Sequence, residues 1–216
     1  MFKLMCPIPR KYKDKDGYFV LNQLFGENKV SFYAEMGLLG HTGIDFRTKN
    51  IFVWFRNWLD KRLIATKNER KGEIPILAAH DGYLTRTYND DPIKGIGMNI
   101  TSEEVLLDGV PCKVETTYFH LSELRVWKGD KLHTGWEKRK GENFVKAGTI
   151  IGWGGNTGKY TTGAHLHFGM RPLWKKGKSY VAQWNNGYNG RVNPLPYLKG
   201  KYKIRESILK TNYYNM

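Results

Sequence analysis

Short runs of apolar and β-branched residues recur along the chain between clusters of turn-forming residues. Clusters such as His80-Asp81-Gly82 and Asn89-Asp90-Asp91-Pro92 separate these runs, a pattern that is typical of β-strands joined by tight connections. The strands predicted in this way cover residues 76–79, 83–88, 98–101, 112–120 and 149–152. We therefore expect a mainly β protein, with an antiparallel β-sheet or sandwich-like core and few short helices.

One segment has helical spacing instead. Between residues 51 and 65, Phe55, Trp58, Leu59 and Arg62 recur at intervals of three and four, which favours an amphipathic helix. The polar stretch 67–72 that follows is typical of an exposed loop.

Length and composition set the outer limits. The chain has 216 residues, of which 40% are hydrophobic, so we expect a single domain over 1–216 with a sizeable core. No apolar run approaches the roughly 20 residues that cross a bilayer, and we expect no transmembrane segment. Cys6 and Cys112 lie far apart without a recognisable pattern, so we expect free and partly buried thiols.

The charge is strongly basic. Thirty-five Lys and Arg against twenty Asp and Glu give a formal net charge of +15, which favours polyanionic partners such as nucleic acid, anionic lipid or anionic bacterial wall polymers. The basic residues are scattered, and no nucleic-acid-binding signature accompanies them. We therefore expect no specific nucleic-acid recognition, and a basic nucleic-acid-binding protein with structural histidines is the weaker alternative.

Two clusters of residues carry the chemistry. A turn-rich loop ends in His165 and His167, which would share one face of a β-strand while the leucine between them enters the core. Far upstream, His41 and Asp45 place an imidazole and a carboxylate four residues apart. Two histidines and one carboxylate match the three protein ligands of a catalytic zinc site, whose fourth position takes water.

The spacing leaves the assignment within these clusters open. His41, Asp45 and one histidine of the downstream pair fit the ligand count, and amide hydrolysis is the natural reaction for such a site. The other member of the pair and His120 would then move protons or stabilise an oxyanion. In the competing interpretations, His120 is a hydrogen-bonded structural histidine, the pair lies on an edge strand, and His41 with Asp45 forms an Asx turn.

Three motifs occur in order between about residues 37 and 170. They are His41-x-x-x-Asp45, Tyr118-Phe119-His120-Leu121-Ser122, and Gly155-Asn156-Thr157-Gly158 running into Gly163-Ala164-His165-Leu166-His167-Phe168. As a set they resemble the lysostaphin-type (LytM-like) zinc metallo-endopeptidases, which cleave peptidoglycan. Segments 79–82, 145–152 and 192–195 resemble the flanking strands of that family.

The resemblance implies a role for each of these residues. It implies that His41, Asp45 and His167 bind Zn²⁺, and that His120 and His165 are catalytic residues beside the metal-bound water that acts as nucleophile. It also implies a duplicated hybrid motif-like β fold whose sheet floors a metal-centred groove. The implied activity is hydrolysis of peptide cross-links or stem peptides of bacterial peptidoglycan; the alternative is a catalytically silent relative that binds wall peptide or activates another hydrolase.

The chain also departs from the family pattern. The core is expected at about 30–197, with an aromatic and basic insertion at 49–71 that either forms a groove wall or packs as a helix on the sheet. The aromatic segment 174–189 is a candidate for the opposite wall, and 198–216 is expected to form a basic tail. His80 and His133 are interpreted as non-ligands.

The N-terminal sequence lacks the apolar stretch of about 7–15 residues that a secretory signal requires. This motivates the hypothesis of a phage endolysin or phage-tail protein, carried on a virion or released to the cell wall.

Overall fold

The computed structural model describes residues 2–48, 74–125, 136–139, 142–159, 161 and 163–205. Its described helices are one short α-helix, α1 (Phe32–Glu35), and 3-10 turns at Arg10–Tyr12 and Leu195–Tyr197. The strands are β1 (Phe19–Gln23), β2 (Ile44–Arg47), β3 (Pro75–Leu77), β4 (Gly82–Asp91), β5 (Gly95–Thr101), β6 (Val105–Leu107), β7 (Val110–Leu124), β8 (Trp136–Arg139), β9 (Glu142–Val145), β10 (Ile150–Gly154), β11 (His165–Lys176), β12 (Ser179–Val181) and β13 (Tyr202–Ile204). The prediction of a mainly β protein with few short helices is confirmed.

The strands form one sheet in the order β13-β1-β2-β11-β7-β5-β4-β9-β8. β10 pairs with both β3 and β7, while β6 joins β7 and β12 joins β11. β1 and β13 run parallel, and the other strand pairs among the described residues are antiparallel. The long strands β7 and β11 therefore lie side by side in the middle of the sheet.

Side-chain alternation on β11 separates the core from the opposite face. Leu166 and Phe168 are fully buried, and the ring of Phe168 packs against that of Tyr118 on β7, with centroids 5.4 Å apart. Because successive side chains of a strand point to opposite faces, His165 and His167 lie together on the other face. The period-two pattern thus places both histidines on one side of the sheet, as predicted.

The ends of the described chain also contribute to the core. Leu4 and Leu198 are both buried and form a parallel bridge to each other, and both belong to the hydrophobic core. The expected closing strand at 192–195 is reduced to one bridge between Val192 and Met170. The prolines that follow, Pro194 and Pro196, have no N–H to offer a strand partner.

A histidine in the core is held by a buried polar network. Nδ1 of His80 lies 2.7 Å from the Asp81 carbonyl oxygen, and Nε2 lies 2.9 Å from the Thr116 hydroxyl. That hydroxyl is 3.0 Å from the hydroxyl of Tyr118, which accepts the Ala79 N–H at 2.8 Å. Burial lowers the pKa of His80 to about 4. His80 is therefore neutral at pH 7 and has a structural role.

The remaining predictions concern the two cysteines, membrane-crossing helices and the segment 49–71. Cys6 and Cys112 are free thiols, and both are buried. None of the helices among the described residues is long and apolar enough to cross a membrane. The predicted helix and loop within 49–71, and His133, lie outside the described residues.

Candidate metal centre

Three predicted ligands converge where β2 pairs with β11. Asp45 on β2 is directly opposite His167 on β11, and His41 precedes β2 in the chain. Nε2 of His41 lies 2.9 Å from Nδ1 of His167 and 3.1 Å from Oδ1 of Asp45. The third side of this triangle, from His167 Nδ1 to Asp45 Oδ1, is 3.2 Å. All three residues are buried.

The hydrogen bond on the far side of His41 decides which ring nitrogen carries the proton. Nδ1 of His41 lies 3.0 Å from the carbonyl oxygen of Leu24. A carbonyl only accepts, so the proton is assigned to Nδ1 and a lone pair remains on Nε2. That nitrogen faces the carboxylate of Asp45 at 3.1 Å, a contact that is stable when either a proton or a metal ion lies between the two atoms.

The donor set fits zinc. Ligands about 2.0–2.1 Å from a tetrahedral zinc ion are about 3.3–3.4 Å from one another, close to the 2.9, 3.1 and 3.2 Å sides of this triangle. Imidazole nitrogen and carboxylate oxygen are both common zinc ligands. The three side chains could therefore hold a zinc ion after small outward shifts.

The charges of the cluster also favour a cation. Burial works against ionisation of Asp45, yet the neighbouring His41 and a hydrogen bond from His167 hold the pKa of this carboxyl well below its usual range. Burial lowers the pKa of His167 to about 3. Burial also opposes protonation of His41, but the Asp45 carboxylate raises the pKa of His41 overall. The metal-free cluster would thus keep a proton where a metal ion would bind.

A glycine inside the first motif makes room for this arrangement. A β-carbon on Gly43 would lie 2.5 Å from the Phe168 carbonyl oxygen and 2.9 Å from both Cε1 and Nε2 of His167. These distances are far inside van der Waals contact. Gly43 therefore lets the ring of His167 lie directly against the backbone of the His41 motif.

His120 comes from β7 and is fixed by the glycine-rich loop. Its φ of +65° is uncommon for a residue with a side chain, and its Nδ1 lies 2.9 Å from the Thr157 carbonyl oxygen. The Thr157 hydroxyl accepts the Ile96 N–H at 2.9 Å and donates to the Leu121 carbonyl at 2.7 Å. Burial, followed by the proximity of His165, lowers the pKa of His120 to about 4, so this imidazole is neutral at pH 7.

His165 completes the cluster. Its Nδ1 lies 2.7 Å from the Gly163 carbonyl oxygen, which assigns the proton to Nδ1 and leaves Nε2 facing Asp45 Oδ2 at 3.7 Å. The rings of His165 and His120 have centroids 4.7 Å apart. The structure therefore brings all five predicted site residues together.

Sequence reasoning did not single out two supporting residues. Gly43 lies between His41 and Asp45 in the first motif, and nothing else in the sequence indicates its role. Thr157 belongs to the glycine-rich motif. Its hold on His120 depends on hydrogen bonds to β5 and β7, which spacing along the chain does not reveal.

Known proteins with similar sequences share a limited part of the chain. No family model matches the chain. It is 37% identical over 82 residues to the glycyl-glycine endopeptidase ALE-1 of Staphylococcus capitis, covering 38% of the chain and 16% of that relative. The match to lysostaphin of Staphylococcus simulans is also 37% identical over 82 residues and covers 12% of that relative. The chain thus spans a small fraction of the length of these relatives.

Solved structures with some similarity cover more of the chain at lower identity. The lysostaphin catalytic domain of Staphylococcus simulans has a TM-score of 0.46 and 20% identity, covering 83% of this chain and 91% of that one. LytU has a TM-score of 0.49 and 25% identity, covering 88% and 90%. Both TM-scores are below 0.5. The family relationship is therefore supported by the sequence identity to ALE-1 and lysostaphin, together with the three motifs. The chain is thus related to the lysostaphin-type, LytM-like endopeptidases, as its motifs predict.

Proposed function

We propose that the protein is a zinc-dependent endopeptidase that hydrolyses peptides of bacterial peptidoglycan. The observation that carries this proposal is the triangle of donor atoms from His41, Asp45 and His167, with sides of 2.9, 3.1 and 3.2 Å. The curated relatives support the substrate class, because one is named as a glycyl-glycine endopeptidase.

His41, Asp45 and His167 would hold the metal ion. When bound, zinc would polarise the carbonyl of the scissile peptide bond and lower the pKa of water to about 7, which makes hydroxide available at neutral pH. The carbonyl of Leu24 would orient His41 by accepting its Nδ1 proton. The ring of Phe119 stacks on His167, with centroids 5.6 Å apart and planes 7° from parallel, and so restricts the rotation of that ligand.

His120 and His165 would handle protons and the developing negative charge. Each has its Nδ1 hydrogen-bonded to a backbone carbonyl, so in each ring Nε2 is the nitrogen left to act on a substrate. A neutral imidazole can accept a proton there and, once protonated, donate a hydrogen bond to an oxyanion or a proton to the leaving amine. Two imidazoles fixed in this way could serve both stages of amide hydrolysis.

The test combines metal analysis with a cleavage assay. Parent protein, His41→Ala and His165→Ala would be loaded with zinc, dialysed and analysed for bound metal. The same samples would digest purified peptidoglycan, with products identified by mass spectrometry. We expect about one zinc per parent chain, loss of zinc and cleavage in His41→Ala, and loss of cleavage with zinc retained in His165→Ala.

Each part of the result distinguishes the function classes. Zinc binding by the parent without cleavage would indicate the silent, peptide-binding relative. Unaltered cleavage by His41→Ala would exclude His41 as a ligand. The product masses would also identify the bond that is cut.

A further inference from the structure

The sheet face that carries the metal cluster continues into a second polar region. In the register of β11, β7 and β5, Gly169 lies opposite Thr117, and Thr117 lies opposite Asn99. Directly paired residues of neighbouring strands share a face of the sheet. Gly169, Thr117 and Asn99 therefore form one row across the strands, and this row lies beside the row formed by His167 and Phe119. The rows are two residues apart along β11, or about 7 Å.

Three buried polar atoms in this region have no hydrogen-bond partner. They are Oγ1 of Thr117, Oδ1 of Asn99 and Nε of Arg191, a statement that covers the residues the structure describes. Thr117 is fully buried, and Asn99 and Arg191 are 4% and 7% exposed. Buried polar groups are nearly always paired, so three unpaired atoms together mark a place where a polar ligand could bind.

Arg191 extends over this row because residue 169 has no side chain. A β-carbon on Gly169 would lie 3.1 Å from Nε of Arg191 and 2.5 Å from Oγ1 of Thr117. Arg191 and Thr117 thus approach the same point on the histidine face. No ion pair of the described part of the chain includes Arg191.

The neighbouring Arg171, in contrast, has hydrogen-bond partners for its guanidinium. Arg171 donates through Nη1 to Glu115 at 2.9 Å and through Nε to the Asn189 carbonyl at 2.9 Å. Its guanidinium also lies 4.4 Å from the centre of the exposed Trp184 ring. Glu115 is thus bonded to Arg171. Its charge partly offsets the lowering of the Arg191 pKa by burial, but no carboxylate of the described residues forms an ion pair with Arg191.

Two further basic side chains lie on the Tyr88 ring, beside Phe119 of the histidine face. Lys94 Nζ lies 4.5 Å from the centre of the Tyr88 ring and Arg86 Cζ lies 5.1 Å from it, and this ring contacts Phe119 at 5.3 Å. Lys94 is paired with Asp91. Burial, and then the proximity of Arg171, lower the pKa of Arg191 only to about 10, so Arg191 is still charged at pH 7.

We infer that Arg191 anchors a subsite that binds a carboxylate of the peptide substrate, about two residues from the scissile bond. This inference rests on the proposed peptidase function. The planar guanidinium matches a carboxylate through parallel N–H donors, Thr117 can add a hydroxyl donor, and Asn99 Oδ1 can accept a peptide N–H. Stem peptides of peptidoglycan carry such carboxylates, whereas the interior of a glycine bridge has none.

The binding test uses zinc-loaded His165→Ala protein, in which turnover is removed, and isothermal titration calorimetry. The probe is the tetrapeptide L-alanyl-γ-D-glutamyl-L-lysyl-D-alanine, compared with one form amidated at the glutamyl α-carboxyl and another amidated at the C-terminus. We expect one amidation to weaken binding about 10- to 100-fold, as for loss of a charge-assisted hydrogen-bond pair. Which amidation does so identifies the carboxylate.

Substitution of Arg191 then assigns the effect. In the same background, Arg191→Met should weaken binding of the free acid by the same factor and abolish discrimination between acid and amide. Arg191→Lys should retain part of it. Arg139→Met, which removes an exposed charge paired with Glu137, is the matched control and should bind like the parent background. Because Arg191 forms no ion pair with the described residues, Arg191→Met should unfold in urea at the same or a higher midpoint.

The outcomes separate this inference from the proposed function. Equal binding of acid and amides, no binding of the free acid, or full discrimination in Arg191→Met would overturn the subsite. Digestion of purified peptidoglycan by the chain with His165 intact would continue in each of those cases. Loss of that digestion would count against the proposed function instead.

Discussion

Replacement of Gly43 with alanine would place one methyl group between the backbone of the first motif and a metal ligand. The new β-carbon would lie 2.9 Å from Cε1 and Nε2 of His167 and 2.5 Å from the Phe168 carbonyl oxygen. Normal carbon contacts begin at about 3.5 Å, so the ring must move by about 0.6 Å. Metal–ligand distances in a well-formed site lie within about 0.2 Å of their usual values, so a shift of this size is large.

The shift should weaken zinc binding and should also destabilise the metal-free fold. Misorientation of a ligand typically costs about 10- to 100-fold in metal affinity, equivalent to about 1.4–2.7 kcal/mol. Overpacking by one methyl group should cost the metal-free fold about 1–3 kcal/mol. Competition with a chromophoric chelator would measure the zinc affinity, and urea unfolding of the metal-free protein would measure stability.

Gly163→Ala is the matched control, because a β-carbon at Gly163 meets no atom within 4 Å. It also lies in the loop beside the site, since its carbonyl accepts a hydrogen bond from His165. We expect Gly163→Ala to bind zinc like the parent. Equal zinc affinity in Gly43→Ala and Gly163→Ala would refute the idea that Gly43 positions His167.

Two further predictions concern the core and the glycine-rich loop. The pKa of His80 is about 4 in the folded protein against 6.5 for the free group, so the unfolded chain binds the proton more readily. The stability that neutral His80 provides is complete above pH 6.5 and is lost as the pH falls towards 4, for a total of about 3 kcal/mol. In urea unfolding from pH 6.5 to 4, the parent should therefore lose about 1 kcal/mol more per pH unit than His80→Gln; parallel curves would contradict this. Thr157→Val should lower the turnover number about 10- to 100-fold with zinc content unchanged, because it leaves the Ile96 N–H unpaired and loosens His120. Thr161→Val, at the exposed side of the same loop, is the control, and equal turnover in the two variants would argue against the clamp.

Much of the sheet follows from alternation along the chain. The buried Leu166 and Phe168 between the histidines are enough to predict which face of β11 carries His165 and His167. The ends of the strands are harder to predict. β7 continues to Leu124, and the polar residues in its last part interrupt the apolar pattern that marks a strand. The parallel pairing of β1 with β13 joins distant parts of the chain and leaves no local signal.

The metal centre shows a similar limit. Strand periodicity places His165 and His167 on one face, but it does not decide which one lies directly opposite Asp45. That depends on the register of β2 against β11, which pairs Asp45 with His167 and is set by tertiary packing. The unusual backbone of His120 and the unpaired Arg191 have no sequence pattern, because each depends on neighbours from other elements.

Anomalous diffraction at the zinc edge, from crystals of the zinc-loaded protein, tests the metal assignment most directly. The account predicts one anomalous peak about 2.0–2.1 Å from His41 Nε2, Asp45 Oδ1 and His167 Nδ1. A peak on other residues, or none at these three atoms under saturating zinc, would contradict it.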